Sequence, residues 1–355
     1  MGVTVRESVG RQTTTGTGVA SDGRWRKYII MPPFPPPLPL RARSGCPHLA
    51  GISTATPAMA DWHDGSVWPR GRVPLSGENV SLPAGRRVLL SRTHAPVLGL
   101  LTVPASSELI FGENEHGVEL SAHGIEVKGA MRAGSATCRL LTRVTITLHG
   151  RRPASRAERE NMPASSKGIY VTGVLSLHGH QFHTTWARLA RSVHPGDTTV
   201  FLQQSVNWEV GQQVLLTTSA LKDSRDWHRN EVQTLAEPPQ QQPQGTSSSL
   251  TALHLAGPTL FAHESNAAYS AEVALLTRLI KIQGAAGDSE PTDTTLLSCH
   301  LSDFVAPYYS PAVAPCAHSF LTGYGGHILV AGSRAVAHVA GVELFRMGQT
   351  NLLGR

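Results

Sequence analysis

The sequence predicts an all-β protein from two observations, its composition and its punctuated apolar runs. Only 16% of the 355 residues are charged, whereas there are 34 glycines and 24 prolines. That composition favours strands and turns over helices. In residues 97–134, short apolar runs follow one another and each ends at Gly, Asn or Ser. Such runs are typical of successive strands, because a helix needs apolar residues at i, i+3, i+4 and i+7 over a longer stretch.

Residues 1–60 are predicted to be a disordered segment rich in Pro, Ser and Arg. Its apolar run YIIMPPFPPPLPL is interrupted by six prolines, so no secretory signal peptide is visible. No run of 18 or more apolar residues occurs anywhere, so no membrane span is predicted. An organelle transit peptide and an incorrectly assigned start remain alternatives for this segment.

Most of the net positive charge of the chain lies in residues 1–60. Seven of the 31 basic residues but only two of the 25 acidic residues lie in residues 1–60. The remaining 295 residues carry 24 basic and 23 acidic groups and are nearly neutral. Because a nucleic-acid-binding domain normally carries a basic stripe, we exclude nucleic acid as a partner. The basic run at 139–167 is interpreted as a solvated loop.

From Trp62 to residue 195 the pattern is strand, turn, strand. The predicted strands are Asn79–Leu82, Arg87–Leu90, the runs within 97–134, Arg143–Leu148 and Gly168–Leu177. Glycine at the corners allows positive φ and lets neighbouring backbone layers approach closely.

Residues 196–355 form a second β-rich segment with looser spacing. Its predicted strands are Thr198–Leu202, Gln213–Thr217, Ser249–Leu255 and an alternating stretch at 325–345. Residues 237–249, EPPQQQPQGTSSS, are predicted to be a polar surface loop.

An ordered set of motifs over about 120 residues carries a family resemblance. The motifs are Trp68, PLSGENVSL ending at Leu82, RRVLL at Arg86–Leu90, LGLLTV at Leu98–Val103, ELIFG at Glu108–Gly112, IEVKGAMRAG at Ile125–Gly134, Cys138, ITLHG at Ile146–Gly150, LSLHG at Leu175–Gly179, and Trp186 with Leu189. Residues 61–195 thereby resemble the eight-glycine (G8) domain of fibrocystin and of the cell-migration-inducing and transmembrane hyaluronidases.

The resemblance continues into residues 196–355. NWEVGQ at Asn207–Gln212, AEVALLTR at Ala271–Arg278 and GVELFRMGQ at Gly341–Gln349 are similar to the segment that leads these relatives into a right-handed parallel β-helix. In the relatives a Tyr-Pro-Ile-His-Phe-His run follows, and this chain stops just before it, at Arg355. The resemblance therefore implies an incomplete β-helix and a truncated relative or fragment.

The candidate catalytic residues are Asp226, His228 and Glu231. Glycoside hydrolysis needs two carboxyl groups beside the bond, and these residues surround Trp227 in one loop. The alternative is a polar surface loop, because nothing in the sequence makes the side chains converge. The resemblance argues against activity, since Asn207 and Gln212 stand where relatives usually have acids.

Other candidate sites concern metal, disulfide and glycan. His178 and His180 would point to the same face of a strand, but with no third ligand nearby in sequence no metal or cofactor is predicted. Cys299 and Cys316 are the candidate disulfide pair if the protein is exported, with free buried thiols as the alternative. Asn79 begins an Asn-Val-Ser glycosylation sequon.

Three hypotheses for function follow. The resemblance favours a non-catalytic extracellular or cell-surface β-domain that binds carbohydrate or protein. The second hypothesis is a glycoside hydrolase that depolymerises hyaluronan-type glycosaminoglycans, and the third is an inactive fragment of such an enzyme. The oligomeric state is not predicted.

Overall fold

The structure is a computed structural model that describes residues 15–19, 25–29, 59–151, 153, 156–219, 229–244, 248–285 and 324–348. In chain order the strands are β1 Thr15–Val19, β2 Trp25–Ile29, β3 Met59–Asp61, β4 Val80–Ser81, β5 Arg87–Leu90, β6 His94–Val103, β7 Glu108–Phe111, β8 Val118–Val127, β9 Ala130–Ala133, β10 Val144–Leu148, β11 Gly168–Val171 and β12 Val174–His178. They continue as β13 Trp186–Arg188, β14 Thr199–Leu202, β15 Gln213–Leu216, β16 Glu231–Thr234, β17 Gln240–Gln244, β18 Ser248–His254, β19 Glu272–Leu275, β20 Ile280–Gly284, β21 His327–Val330, β22 Val336–Ala340 and β23 Val342–Phe345.

Helices contribute little to the described residues. A 3₁₀-helix spans Gly65–Val67 and one short α-helix, α1, spans Arg156–Asn161. No helix among the described residues is long and apolar enough to cross a membrane. The predicted all-β class is confirmed.

The chain divides into two units. The smaller unit contains the antiparallel hairpin β1–β2, in which Thr15 pairs with Ile29 and Val19 with Trp25. The larger unit contains all the other described strands.

Within the larger unit, parallel strands stack into coils. One sheet has the order β22-β12-β9-β7-β5-β3, and the facing sheet is built from β4, β6, β8, β10, β11, β20, β21 and β23. Every pairing in these two sheets is parallel. The chain passes from one sheet to the other in each coil, for example from β6 to β7 and from β8 to β9. This arrangement is the β-helix-like fold that the resemblance implied.

Alternation along the strands builds the interior of the coils. In β8 the burial alternates so that Leu120, Ile125 and Val127 are fully buried while Glu119 and His123 are exposed. Parallel pairing stacks like residues directly above one another, as in Leu101, Ile125 and Ile169. Burying each such side chain stabilises the fold by roughly 1.5–3 kcal/mol, so these apolar columns outweigh the surface ion pairs.

A cluster of aromatic side chains packs beside the first coils. The Trp62 and Trp68 rings meet edge to face with centroids 4.8 Å apart, and the Trp68 indole N–H donates to the Trp62 carbonyl at 2.8 Å. The Trp62 indole N–H donates to Nδ1 of His94 at 3.3 Å. Because Nδ1 accepts this bond, neutral His94 carries its proton on Nε2. Burial lowers the pKa of His94 to about 4, and the nearby His63 is a smaller cause.

We expect His94 to make the fold sensitive to mild acid. Because its folded-state pKa lies below its unfolded value, the unfolded chain takes up a proton first as the pH falls. Stability is therefore lost from about pH 6.5 downward, by up to about 3 kcal/mol once the pH is below about 4. Urea unfolding of the His94→Gln variant should show a flatter dependence on pH in this window than the wild type.

His116→Gln is the matched control for this measurement, since the His116 side chain is 87% exposed. It should reproduce the wild-type dependence on pH. An unchanged slope in His94→Gln would contradict the assignment.

A separate antiparallel barrel is inserted between β12 and β20. Its strands form one sheet of order β13-β19-β15-β16 and another of order β14-β18-β17. Antiparallel bridges join Leu189 to Leu202 and Leu235 to Leu255, and they close six of these strands into a ring. A second hydrophobic core fills it, including Leu189, Leu202, Val214, Leu216, Leu235, Leu253 and Val273.

After the barrel the chain returns to the coils that it left. β20 pairs in parallel with β10, so Val144 lies beside Ile280, and β23 then pairs with β20. Residues 196–355 therefore divide between the barrel and the last coils. The prediction of a loop over 237–249 is wrong in part, because Gln240–Gln244 forms strand β17 on the edge of β18.

Candidate functional site

The structure places only one of the three candidate catalytic residues. Asp226 and His228 lie outside the described residues. Glu231 is the first residue of β16, and its side chain points into the barrel. Only 6% of Glu231 is exposed, in contrast to the surface position that the sequence favoured.

Both carboxylate oxygens of Glu231 are held by donors. One oxygen lies 2.7 Å from Nε2 of the fully buried His263 and accepts the Phe261 N–H at 3.3 Å. The other accepts the Leu260 N–H at 2.9 Å and the Gln233 side-chain amide at 3.0 Å. The second imidazole nitrogen of His263 lies 2.8 Å from the Thr217 carbonyl.

These contacts decide the ionisation of Glu231. Burial alone would raise the pKa of the Glu231 carboxyl, but the hydrogen bonds from Leu260, His263, Gln233 and Phe261 lower it below its ordinary value. The general acid of a glycosidase needs a raised pKa, whereas the pKa of the Glu231 carboxyl is lowered. The hydrogen bonds of the Glu231 carboxylate therefore hold β16 against residues 260–263.

Asn207 and Gln212 are also used in backbone contacts. The Asn207 side-chain oxygen accepts the His183 N–H at 2.6 Å, and the Gln212 side-chain oxygen accepts the Glu209 N–H at 2.8 Å. Gln212 is 4% exposed. The Gln212 amide therefore closes the turn that precedes β15, whereas the Asn207 amide joins this turn to the segment that precedes β13.

His178 and His180 lie at the end of β12 and just beyond it. The His178 ring stacks with His338 of the next coil at a centroid distance of 6.4 Å, and His180 meets Phe182 edge to face. Burial is the main cause that lowers the pKa of each imidazole, and Arg139 adds to it. Within the described part of the chain, no group of three or more His, Cys, Asp or Glu side chains could hold a metal ion.

The cysteine and sequon predictions have different outcomes. Cys299 and Cys316 lie outside the described residues. Cys138, which was not a candidate, is disulfide-bonded. Asn79 is exposed and its side-chain oxygen accepts the Leu100 N–H at 2.8 Å, and its glycosylation stays a prediction.

One outward surface of the barrel combines an exposed tryptophan with an ion pair. We call the outward side chains of β13, β19, β15 and β16 the Trp186 face. Trp186 is 50% exposed, and its indole N–H donates to the Glu272 carboxylate at 2.5 Å. Arg188 lies 3.8 Å from the other oxygen of Glu272. The sequence singled out Trp186 only as a family marker, because its exposure depends on strand pairing.

Comparison with known proteins agrees with the resemblance. Residues 67–190 match the G8 domain family. Communication mutant protein F of Dictyostelium discoideum is 33% identical over 334 residues, which cover 93% of this chain and 25% of that protein. Protein rliB of the same organism is 33% identical over 319 residues, covering 88% of this chain and 24% of that protein.

A human protein is a more distant relative. Fibrocystin-L is 28% identical over 251 residues, covering 68% of this chain and 6% of that protein. Among the relatives from Dictyostelium, the chain spans between 18% and 26% of the relative's own length.

Proposed function

This chain contains a G8 domain at residues 67–190, and we propose that it is a non-catalytic extracellular or cell-surface β-domain that binds carbohydrate or protein ligands. The observation that carries the proposal is the burial and hydrogen bonding of Glu231. A glycosidase carboxyl must reach the glycosidic bond, whereas Glu231 is buried and both of its carboxylate oxygens are bound by groups of the protein itself.

Two further observations support the proposal. The Trp186 face presents an aromatic ring that is half exposed, and aromatic residues are enriched in binding surfaces. The disulfide at Cys138 suits an oxidising compartment, since disulfides are rare in cytosolic proteins. An extracellular location also agrees with the family resemblance.

Incubation with labelled hyaluronan tests the absence of catalysis. Purified protein and hyaluronan would be mixed at several pH values between 4 and 7.5, and the chain length followed by gel electrophoresis. We expect no shortening. Shortening that is lost in Asp226→Asn would instead establish the glycosidase alternative.

Binding to cells tests the second half of the proposal. The labelled protein would be applied to cells that are untreated, periodate-oxidised to destroy glycans, or treated with protease. We expect retention on untreated cells, and its loss after one treatment identifies the ligand as carbohydrate or protein. No retention on untreated cells would contradict the binding role.

A further inference from the structure

The Trp186 face has an ordered pattern of rows that run across four strands. Strand register sets Trp186 opposite Ala274, Ala274 opposite Leu215, and Leu215 opposite Val232. This apolar row crosses three spacings between strands and is therefore about 14 Å long. Trp186 and Val232, at the two ends of the row, are 50% and 52% exposed, whereas Ala274 between them is buried.

Polar side chains border the apolar row on both sides. Register sets Arg188 opposite Glu272 on one side, and Gln213 opposite Thr234 on the other. The face is thus a narrow apolar strip with hydrogen-bonding groups along each edge. A pyranose ring has the same division, with C–H groups on its faces and hydroxyl groups around its rim.

The tryptophan is held in position before any ligand arrives. Trp186 lies opposite Ala274, and its indole N–H reaches the carboxylate of Glu272, two residues along the neighbouring strand. The ring therefore extends over β19 with its outer face in solvent. A ring fixed in this way loses little conformational entropy on binding.

The charges of the face favour an uncharged ligand. Among the described outward side chains within these four strands, Arg188 is the only cation and Glu272 the only carboxylate. The two lie together, so the face carries no net charge to attract a polyanion. An interface with a folded protein would need about 800 Å² on each partner, far more than a strip one side chain wide provides.

We propose that the Trp186 face binds a neutral hexopyranose chain, with one sugar ring stacked on Trp186 and its hydroxyl groups bonded to Arg188 and Glu272. This inference rests on the proposed function and specifies its ligand class. Trp186 supplies the apolar contact, and the ion pair orients the sugar.

Affinity electrophoresis tests the inference. The full chain would be run in native gels that contain a mixed-linkage β-glucan, a mannan, a galactan or hyaluronan. We expect at least one neutral polysaccharide to retard the wild type. Trp186→Ala should weaken this binding at least tenfold, and Trp186→Phe, which keeps a ring but loses the N–H bond to Glu272, should show an intermediate loss.

Phe345→Ala is the matched control, because Phe345 is an aromatic residue that is 43% exposed on β23, outside this face. It should bind like the wild type, and melting temperatures would verify that all variants fold. Retardation by hyaluronan alone would overturn the ligand class, and equal binding by Trp186→Ala would overturn the site. Both results leave carbohydrate binding, and so the proposed function, intact. If no polysaccharide retards the wild type, this inference fails, and the cell-binding experiment decides the proposed function separately.

Discussion

Replacing Glu231 with alanine should destabilise the protein by about 3–5 kcal/mol, because it removes a buried carboxylate and leaves the groups that donate to it unpaired in the interior. Loss of the carboxylate leaves the Leu260 and Phe261 N–H groups and the His263 imidazole without their acceptor. Each buried polar group left unpaired costs about 1–3 kcal/mol. Urea unfolding at pH 7 would measure the loss.

The conservative variant Glu231→Gln separates charge from shape. A glutamine keeps one acceptor oxygen but turns an NH₂ group toward donors, so we expect a smaller loss of about 1–3 kcal/mol. Glu237→Ala is the control, because Glu237 is exposed a few residues further along the chain and its loss should change stability by less than about 0.5 kcal/mol. Wild-type stability in Glu231→Ala would show that the carboxylate is not needed for folding.

The same contacts set the sign of the dependence on pH. Because the folded-state pKa of Glu231 is lowered, its contribution to stability is present above the pKa of the unfolded chain and is lost as the pH falls through the folded value. In Glu231→Gln this part of the acid sensitivity should disappear, while the part due to His94 remains.

The coils were predictable from sequence because their signals are local. Alternating apolar residues and corner glycines lie within a few positions of one another, as in Val118–Val127 and Gly129. The return of β20 to β10 is different, since Ile146 and Ile282 become neighbours although 136 positions separate them. No local pattern identifies that partner. Strand β17 was missed for a related reason, because its polar residues become a strand only by pairing with β18.

The role of Glu231 was likewise outside the reach of sequence patterns. An acid in a polar stretch predicts exposure, and its burial is created by Leu260 and His263, which lie 29 and 32 positions away. The family marker Trp186 was visible, but its exposure and its bond to Glu272 follow from the pairing of β13 with β19.

A second large effect is expected at the corner between β8 and β9. The N–H groups of Lys128 and Gly129 both donate to the Val103 carbonyl, and those of Thr172 and Gly173 both donate to the Val127 carbonyl one coil later. The corners therefore stack with repeated geometry. A Cβ atom on Gly129 would lie 2.1 Å from the Ser107 carbonyl oxygen and 2.2 Å from that of Pro104.

Gly129→Ala should therefore destabilise the protein by at least about 3 kcal/mol, at the upper end of overpacking effects. The clashing atoms belong to the backbone of the preceding coil, which cannot rotate away as a flexible side chain could. Gly85→Ala is the matched control, because Gly85 has φ +70° and no atom within 4 Å of the added Cβ. It should cost about 1–2 kcal/mol from backbone strain alone.

Comparing Gly129→Ala with Gly85→Ala separates the two reasons for a glycine at a corner, which are a positive φ and the close approach of another backbone segment. Gly129 does not have a φ in the left-handed region, so its requirement for glycine comes from the close approach of successive coils. If urea unfolding shows Gly129→Ala to be no less stable than Gly85→Ala, the coils are able to separate at this corner. In that case tight stacking would not be what selects glycine there.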